Sequence, residues 1–390
     1  MAAVEIPTGN TGGVAQAEGA DGGQCPAARS SCLGRMSRAP ASRPPRRPAL
    51  AGGLIALLAA VLFGISTPLV QSLGVGVGSF TTASLLYTGA ALIGATLRRP
   101  MNREAGIQRG DAPRLVLMAL FGAAIGPVAL AWGLQHTSGT SASLMLTLEA
   151  VFTAVLARLW YHESLDRKVI LAMSSLTLGG AVLVLDRARA GSGQLVGLLA
   201  VLAATGAWSV DNTLSRAVAG RDPGQVVMLK GTIGAAATAL LALSVGETLP
   251  ALWAAMGLLL VGASGYGLSL RFYLLAQRSF GAARTASVFA FAPFVGALLA
   301  VMLGQRGVSP WMMAGSVLMV TGLWIHLTEA HAHDHAHEYV EHAHAHSHDD
   351  GHHEHDHDPM PVGPHSHSHR HLPMRHSHAH VPDDHHAHRH

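Results

Sequence analysis

Long apolar blocks alternate with short polar connections from about residue 54 to residue 327. There are ten such blocks, each 17 to 24 residues long. A helix needs roughly 20 apolar residues to cross the hydrocarbon core of a bilayer, and runs of this length are too long for barrel strands. The pattern therefore predicts an all-α integral membrane protein with ten transmembrane helices. The predicted spans are residues 54–73, 80–97, 115–134, 140–159, 169–185, 195–214, 226–245, 252–275, 285–303 and 311–327.

The composition agrees with lipid as the main surroundings of the chain. The 390 residues are 49% hydrophobic and only 13% charged, whereas soluble domains carry about 25% charged residues. We expect a lipid bilayer and a small-molecule substrate as partners and no nucleic acid. Association into a homodimer is left open. The two cysteines, Cys25 and Cys32, lie in the polar N-terminal region and are interpreted as free thiols.

The positive charges predict the orientation of the spans. Arginine and lysine cluster before the first span and in every second connection after it, and cytoplasmic loops are the ones enriched in these residues. Both termini are therefore expected on the cytoplasmic side of the plasma membrane. Translation from Met1 or from Met36 is left open, and no cleavable signal peptide is expected. The clustered residues are Arg35, Arg38, Arg43, Arg46, Arg47, Arg98, Arg99, Arg103, Arg109, Arg114, Arg167, Lys168, Arg216, Arg221, Arg278 and Arg284.

The membrane region contains an internal repeat. Residues 53–60 reappear at 197–204, and residues 149–157 line up with 292–300. Each half then holds five spans, an odd number, so the halves are inverted relative to each other, which is an architecture of secondary transporters. The predicted division is a disordered cytoplasmic tail at 1–50, five-helix repeats at 51–190 and 191–328, and a histidine-rich cytoplasmic tail at 329–390.

Several short motifs resemble those of the drug/metabolite transporter superfamily, in its EamA-like branch. In the first half these are residues 136–144, residues 148–152 and residues 161–163, and in the second half residues 291–294 and 304–305. The resemblance covers about residues 51 to 327 and leaves out both tails. It implies a secondary carrier, often an exporter of amino acids, metabolites or drugs.

The chain departs from the family pattern at two positions. The family usually has a proline after the glutamate of the fourth span, where this chain has Ala150, although the second half keeps Pro293. The basic residue that the family places early in the second span is replaced by Tyr87. At the corresponding position of the second half stands Lys230.

Three ionisable residues in the apolar blocks are candidates for a substrate-binding or coupling role, because a charge inside a membrane is costly. Glu149 lies near the middle of the fourth span and can bind and release a proton during transport, or it is a structural acid hydrogen-bonded within the bundle. Lys230 can meet an anionic group or extend to the surface. Asp211 can bind substrate or form a structural pair with Lys230.

The remaining site candidates are Arg271 and Tyr87, although the position of Arg271 near a cytoplasmic helix end favours an anchoring role over ligand binding. Tyr87 and four other aromatic residues either line a cavity or lie at the membrane interface. The other four are Trp132, Trp208, Tyr266 and Tyr273.

The tail at residues 329–390 contains all of the 26 histidines except His136, His162 and His326. A tail of this composition is expected to be disordered, because no packed core can form from it. Neutral imidazoles bind Zn²⁺, Ni²⁺, Co²⁺ or Cu²⁺, and no other cofactor is required. The predicted ligands are His331, His333, His335, His337, His342, His344, His346, His348, His352, His353, His355, His357, His365, His367, His369 and His371.

Three functions are compatible with these features. The first is a secondary transporter, coupled to protons through Glu149, which exports a small organic solute and has a metal-binding tail. The second is a carrier of Ni²⁺, Co²⁺ or Zn²⁺. The third is a membrane-anchored metal reservoir or sensor, which needs neither the repeat nor Glu149. An enzyme is not expected, because no catalytic constellation is found.

Overall fold

The computed structural model describes residues 48–100, 104–161, 167–280, 282–304 and 309–327, together with four short segments of the tail. Within these residues the membrane region is entirely helical. Its α-helices are α1 (Pro48–Leu73), α2 (Ser79–Thr96), α3 (Ala112–Met118), α4 (Gly126–His136), α5 (Gly139–Met145), α6 (Glu149–Tyr161), α7 (Arg167–Ala190), α8 (Ser192–Ser215), α9 (Pro223–Ser244), α10 (Leu252–Val261), α11 (Ser269–Phe280), α12 (Ala282–Phe289), α13 (Ala292–Met302) and α14 (Pro310–Leu327).

Eight helical stretches in the described residues are long and apolar enough to cross a membrane. They are Ala51–Leu73, Arg109–His136, Gly139–Trp160, Arg167–Arg189, Ser192–Ser215, Pro223–Ser244, Leu252–Arg278 and Thr285–Met302. Helix α2, which is 18 residues long, and the shorter apolar helix Pro310–Ile325 stand where the second and tenth spans were predicted. Eight candidate spans are therefore present, and the full ten-span layout stays a prediction.

Several predicted spans are not regular α-helices. The third predicted span contains a π-helical segment, π1 (Ala119–Ile125), between α3 and α4. The eighth contains a second one, π2 (Gly262–Leu268), between α10 and α11. Each has a wider turn than an α-helix, and such segments are often found at functional sites.

The fourth and ninth predicted spans are interrupted rather than continuous. Between α5 and α6 the chain forms a 3₁₀ turn, Leu146–Leu148, and α6 begins at Glu149. Between α12 and α13 the α-helix ends at Phe289 and resumes at Ala292, with Pro293 in its first turn. Interrupted membrane helices expose backbone groups that can contact a solute.

Corresponding elements of the two halves begin at one constant spacing along the chain. This holds for the pairs π1 and π2, α4 and α11, α5 and α12, and α6 and α13. Their first residues are Ala119 and Gly262, Gly126 and Ser269, Gly139 and Ala282, and Glu149 and Ala292. The contacts follow the same rule, since α2 packs on α9 and α7 on α14, while α4 packs on α8 as α11 packs on α1. The backbone therefore repeats along the chain more closely than the sequence does.

Close helix contacts depend on small residues, as is common in membrane proteins. A side chain added at Gly89 on α2 would collide with the backbone carbonyl of Leu259 on α10. The large apolar side chains of the bundle surface face outward instead, as lipid contact requires. Examples on four helices are Leu92, Leu240, Leu260 and Leu298, each at least 60% exposed.

On each side of the bundle, an acidic residue in one connection bonds to the end of a neighbouring helix. After α9, the carboxylate of Glu247 accepts hydrogen bonds from the backbone N–H groups of Phe80 (3.2 Å) and Thr81 (2.7 Å) at the start of α2. At the opposite ends of these helices, Glu104 forms an ion pair of 2.8 Å with Arg278 at the end of α11. Glu104 and Glu247 are separated along the chain by the same spacing as the paired elements, so they occupy equivalent positions of the two halves.

Four segments of the histidine-rich tail form strands, β1 (Ala332–Ala336), β2 (Val340–His346), β3 (His365–His371) and β4 (Arg375–Ala379). They pair antiparallel as β1 with β4 and β2 with β3. The expectation of a disordered tail stays a prediction.

Candidate functional site

A cavity lies in the middle of the helical bundle, between the two π-helical segments. Its volume is about 50 Å³, which is enough for a few water molecules. Its wall is formed by acidic, basic, amide and aromatic side chains. They are Phe63, Tyr87, Glu149, Trp208, Asp211, Asn212, Lys230, Gly265, Tyr266, Ser269, Leu270, Tyr273 and Phe289.

Glu149 reaches the cavity from the interruption of the fourth span. Its carboxylate accepts a hydrogen bond from the side-chain amide of Asn212 on α8. One turn earlier on α8, Ser209 Oγ shares its hydrogen between the backbone carbonyls of Thr205 at 2.9 Å and Glu149 at 3.2 Å. Helix α8 therefore holds both the backbone and the side chain of this residue at the point where α6 begins.

Asp211 and Lys230 form a buried ion pair beside the cavity. Lys230 Nζ on α9 donates to Asp211 Oδ2 on α8, and the two side chains are almost completely shielded from solvent, at 3% exposure for Lys230 and 4% for Asp211. The structural pairing that the sequence left open is therefore present, and Lys230 does not extend to the surface. The second carboxylate oxygen, Asp211 Oδ1, is buried and has no hydrogen-bond partner among the described residues.

Gly122 in π1 provides the space for this pair. A Cβ atom at Gly122 would lie 2.8 Å from Lys230 Nζ and closer still to the carboxylate of Asp211. Only a residue without a side chain leaves both groups where they are, because contacts of that length require displacement.

The backbone carbonyl of Gly122 is an acceptor for two aromatic side chains. Within π1 the N–H of Gly126 bonds to Phe121 O, and the next residue, Pro127, has no N–H to offer. Tyr87 Oη and Trp208 Nε1 donate to this carbonyl instead, the latter at 3.0 Å. The widened turn thus joins α2, π1 and α8 at the cavity wall.

Six aromatic rings surround the cavity, and Phe63 on α1 is in contact with three of them. Its ring centroid lies 5.5 Å from Trp208, 5.8 Å from Tyr266 and 5.4 Å from Phe289. Tyr266 also packs on Tyr87 at 5.5 Å, and Tyr273 packs on Phe289 at 5.0 Å. Most of these contacts are edge-on or tilted, as isolated aromatic pairs prefer.

The structure brings together four of the five predicted site residues, namely Glu149, Lys230, Asp211 and Tyr87. It does not bring Arg271 to the cavity wall, because the charged groups near Arg271 are those at the ends of the helices. Those groups are Arg99, Glu104, Asp222 and Arg278.

Of the other aromatic candidates, Trp208, Tyr266 and Tyr273 line the cavity, but Trp132 does not. Trp132 is 37% exposed and stacks on His136 with centroids 4.1 Å apart. The sequence reasoning missed Phe63, Phe289 and Asn212. Asn212 had a usable signal, because with Thr205 and Ser209 it places polar groups on one face of a membrane helix at helical spacing.

Nine of the sixteen predicted metal ligands lie in the described residues. His333, His335, His342, His344, His346, His365, His367, His369 and His371 lie in the described strands. In the register of β2 and β3, His342, His344 and His346 stand opposite His369, His367 and His365. The predicted ligands His331, His337, His348, His352, His353, His355 and His357 lie outside the described residues. Among the described residues of the helical bundle, no group of three or more His, Cys, Asp or Glu side chains is gathered as a metal site would require.

The chain is similar to known membrane transporters. The model of the EamA-like transporter family matches it twice, over residues 50–185 and 195–328. An uncharacterized transporter of Methanothermobacter thermautotrophicus is 28% identical over 240 residues, which cover 59% of this chain and 68% of that protein. A protein of known crystal structure is similar with a TM-score of 0.50 at 20% identity, covering 70% of this chain and 95% of that chain. That last likeness concerns the fold alone.

Proposed function

Because the chain belongs to the EamA-like transporter family, and is therefore a multi-pass membrane transporter of a small solute rather than an enzyme, we propose that it is a secondary exporter driven by proton exchange at Glu149. The resemblance noted from the sequence motifs is thereby confirmed. The observation that carries the proposal is the position of Glu149, an acid at the interruption of a membrane helix that faces a central cavity.

Alternating access between two inverted five-helix halves is the mechanism that we propose. The constant spacing of the π segments and of the helix restarts supports it, as does the twofold family match. The cavity is lined from both halves, with Tyr87 and Glu149 from the first and Asp211 and Lys230 from the second. A site between repeats is the arrangement in which rocking of one half against the other opens it to either side in turn.

The proposed chemistry assigns different tasks to the acids. Asp211 is already bonded to Lys230, so its proton exchange would leave a buried ammonium without its partner. Among the described residues, Glu149 has only the neutral amide of Asn212 as its side-chain partner. In this proposal Glu149 carries either a proton or the solute, and never both, which couples their movements in opposite directions.

The proposed placement is the plasma membrane with both termini in the cytoplasm, because arginine and lysine are concentrated in alternate connections and cytoplasmic connections are the ones enriched in them. The proposed role of the tail is to bind transition-metal ions close to the cytoplasmic face. It rests on the histidine content of residues 329–390 and on the opposed histidines of β2 and β3.

The proposal is tested in proteoliposomes that contain a pH-sensitive dye. Amino acids, amines and carboxylic acids are added one at a time, and proton movement is recorded with purified wild type and with Glu149→Gln. We expect at least one solute to move protons with wild type. The variant is expected to move no protons, and to exchange labelled for unlabelled solute more slowly than wild type because the solute loses its contact with the carboxylate of Glu149. Undiminished proton-driven transport by Glu149→Gln would overturn the role of this residue.

Transport of a divalent metal is the second candidate, favoured by the histidine-rich tail. Cellular Ni²⁺, Co²⁺ and Zn²⁺ are measured for the full chain, for a truncation after Leu327 and for Glu149→Gln. If the full chain changes cellular metal and Glu149→Gln does not, metal is the cargo. If metal content follows the tail alone, the tail stores metal and the helical bundle carries another solute.

A further inference from the structure

When Glu149 has released its proton, the charge of the cavity wall is not balanced. Among the described residues that line it, the ionisable groups of opposite sign are two carboxylates, Glu149 and Asp211, and one ammonium, Lys230. Lys230 is directly bonded to Asp211 and is 2% exposed. An anionic solute could use Lys230 only by breaking a buried ion pair, which is strongly unfavourable because it leaves a carboxylate buried without its partner.

The unused hydrogen-bonding capacity of the two carboxylates is that of acceptors, while Tyr266 Oη, also without a partner among the described residues, can donate or accept. Asp211 Oδ1 is buried and unpartnered among the described residues, and it belongs to a side chain that lines the cavity. Glu149 receives one donor, from Asn212, while a carboxylate has about four acceptor positions. A solute that supplies N–H donors and positive charge would satisfy both carboxylates, whereas a solute with further acceptors would not.

The remaining wall is aromatic. Phe63, Tyr87, Trp208, Tyr266 and Phe289 stand around the same space with centroid separations of 5.4 to 6.4 Å where they contact one another. Aromatic faces attract cations, and this attraction grows when water is excluded. The same rings present apolar area to an aromatic or aliphatic body.

We infer that the cavity takes organic amines, meaning solutes with a cationic nitrogen and an aromatic or other apolar body. This inference rests on the proposed function, because it treats the central cavity as the transport site. The cationic nitrogen lies between Glu149 and Asp211 Oδ1, and the apolar body lies among the aromatic rings around Phe63. Lys230 takes no part in binding and serves to hold Asp211 in place.

Three small probes of nearly the same shape test this inference on the purified full chain. Phenethylamine is a cation, phenylalanine adds a carboxylate to it, and 3-phenylpropionate has the carboxylate without the amine. Binding of each is measured by calorimetry at pH 7. We expect phenethylamine to bind at least about tenfold more tightly than either of the others, which is the contribution of one charge-assisted hydrogen bond.

Any other ranking overturns the inference. Tightest binding of phenylalanine or of 3-phenylpropionate would mean that a cation in the wall, foremost Lys230, receives a carboxylate. Absence of binding by all three would mean that the solute is not an aromatic amine, while proton movement with another solute would still support the exporter. Failure of both experiments would instead count against the transport role of the cavity.

Variants distinguish the two acids. Glu149→Gln is expected to weaken phenethylamine binding by at least about tenfold. The double variant Asp211→Asn with Lys230→Met removes one charge of each sign, so it is expected to weaken binding less than Glu149→Gln does. Asp186→Asn, at a buried acid outside the cavity that is bonded to Ser309 and Arg187, serves as the matched control and is expected to bind like wild type. Equal loss in the double variant and none in Glu149→Gln would overturn the assignment.

Discussion

The two π-helical segments have the same length and equivalent positions but different surroundings. Gly122 in π1 faces the ion pair of Asp211 and Lys230, whereas Gly265 in π2 faces Ser66 on α1. The equivalent residues Tyr87 and Lys230 both reach toward π1, one to a backbone carbonyl and the other to a carboxylate. The comparison teaches that the two halves repeat the backbone but not the charged side chains.

The largest effect on stability is expected when the ion pair beside π1 is broken. Asp211→Ala leaves the ammonium of Lys230 buried without a partner, and the free energy of unfolding should fall by about 3–5 kcal/mol. Ser66→Ala, at the corresponding contact of π2, removes one hydrogen bond to Phe63 O and should cost about 0.5–1.5 kcal/mol. Denaturant unfolding in detergent measures both, and equal costs would show that the charges do not matter.

The second effect concerns the space at Gly122. Gly122→Ala places a Cβ against Asp211 and Lys230, and such overpacking should cost about 1–3 kcal/mol. Gly206→Ala on α8 is the matched control, because nothing lies within 4 Å of the added atom. The control should be neutral or stabilising by up to about 1 kcal/mol. Comparison of the two unfolding midpoints checks this, and a tolerated Gly122→Ala would contradict the role given to this glycine.

A smaller effect is expected at the shared carbonyl of Gly122. Tyr87→Phe removes one of its two donors while Trp208 still bonds to it, so the cost should be about 0.5–1.5 kcal/mol. Adding Trp208→Phe leaves the buried carbonyl without either donor and should cost more than the sum of the single changes. Thermal unfolding of the two single variants and the double variant forms a mutant cycle, and strict additivity would rule out the shared acceptor.

The smallest effect is expected at Glu247, outside the cavity. Glu247→Gln removes the negative charge at the N-terminus of α2 and should cost about 0.3–1 kcal/mol in the same unfolding measurement. Glu104→Gln, at the equivalent position of the first half, removes an ion pair with Arg278 instead. A larger loss of stability for Glu247→Gln than for Asp211→Ala would contradict the expectation that contacts in the centre of the bundle contribute more than contacts at its ends.

The sequence predicts much of the fold because the bilayer imposes a strong constraint on helix length. The apolar blocks, the internal repeat and the acid at Glu149 were all visible in it. The π segments were not, because one extra residue in a turn is set by packing rather than by composition. The interruption at Glu149 was hidden because Ala150 replaces the proline that would have marked it.

The site was predicted less completely than the fold. Charged residues such as Asp211 and Lys230 stand out in a membrane helix because burying them is costly. Phe63 and Phe289 do not stand out, since phenylalanine is equally common against lipid. Trp132 could not be assigned for the same reason, because an aromatic residue in a span does not reveal which side of the helix it occupies.

The ion pair between Lys230 and Asp211 has a consequence for the electrical work of transport. The pair carries no net charge, so its movement with the bundle does no work against the transmembrane voltage. If Glu149 exchanges one proton for one monovalent amine, equal charge crosses in both directions in each cycle. The pH gradient, and not the membrane potential, then powers export, and a collapse of voltage at constant pH difference should leave the rate unchanged.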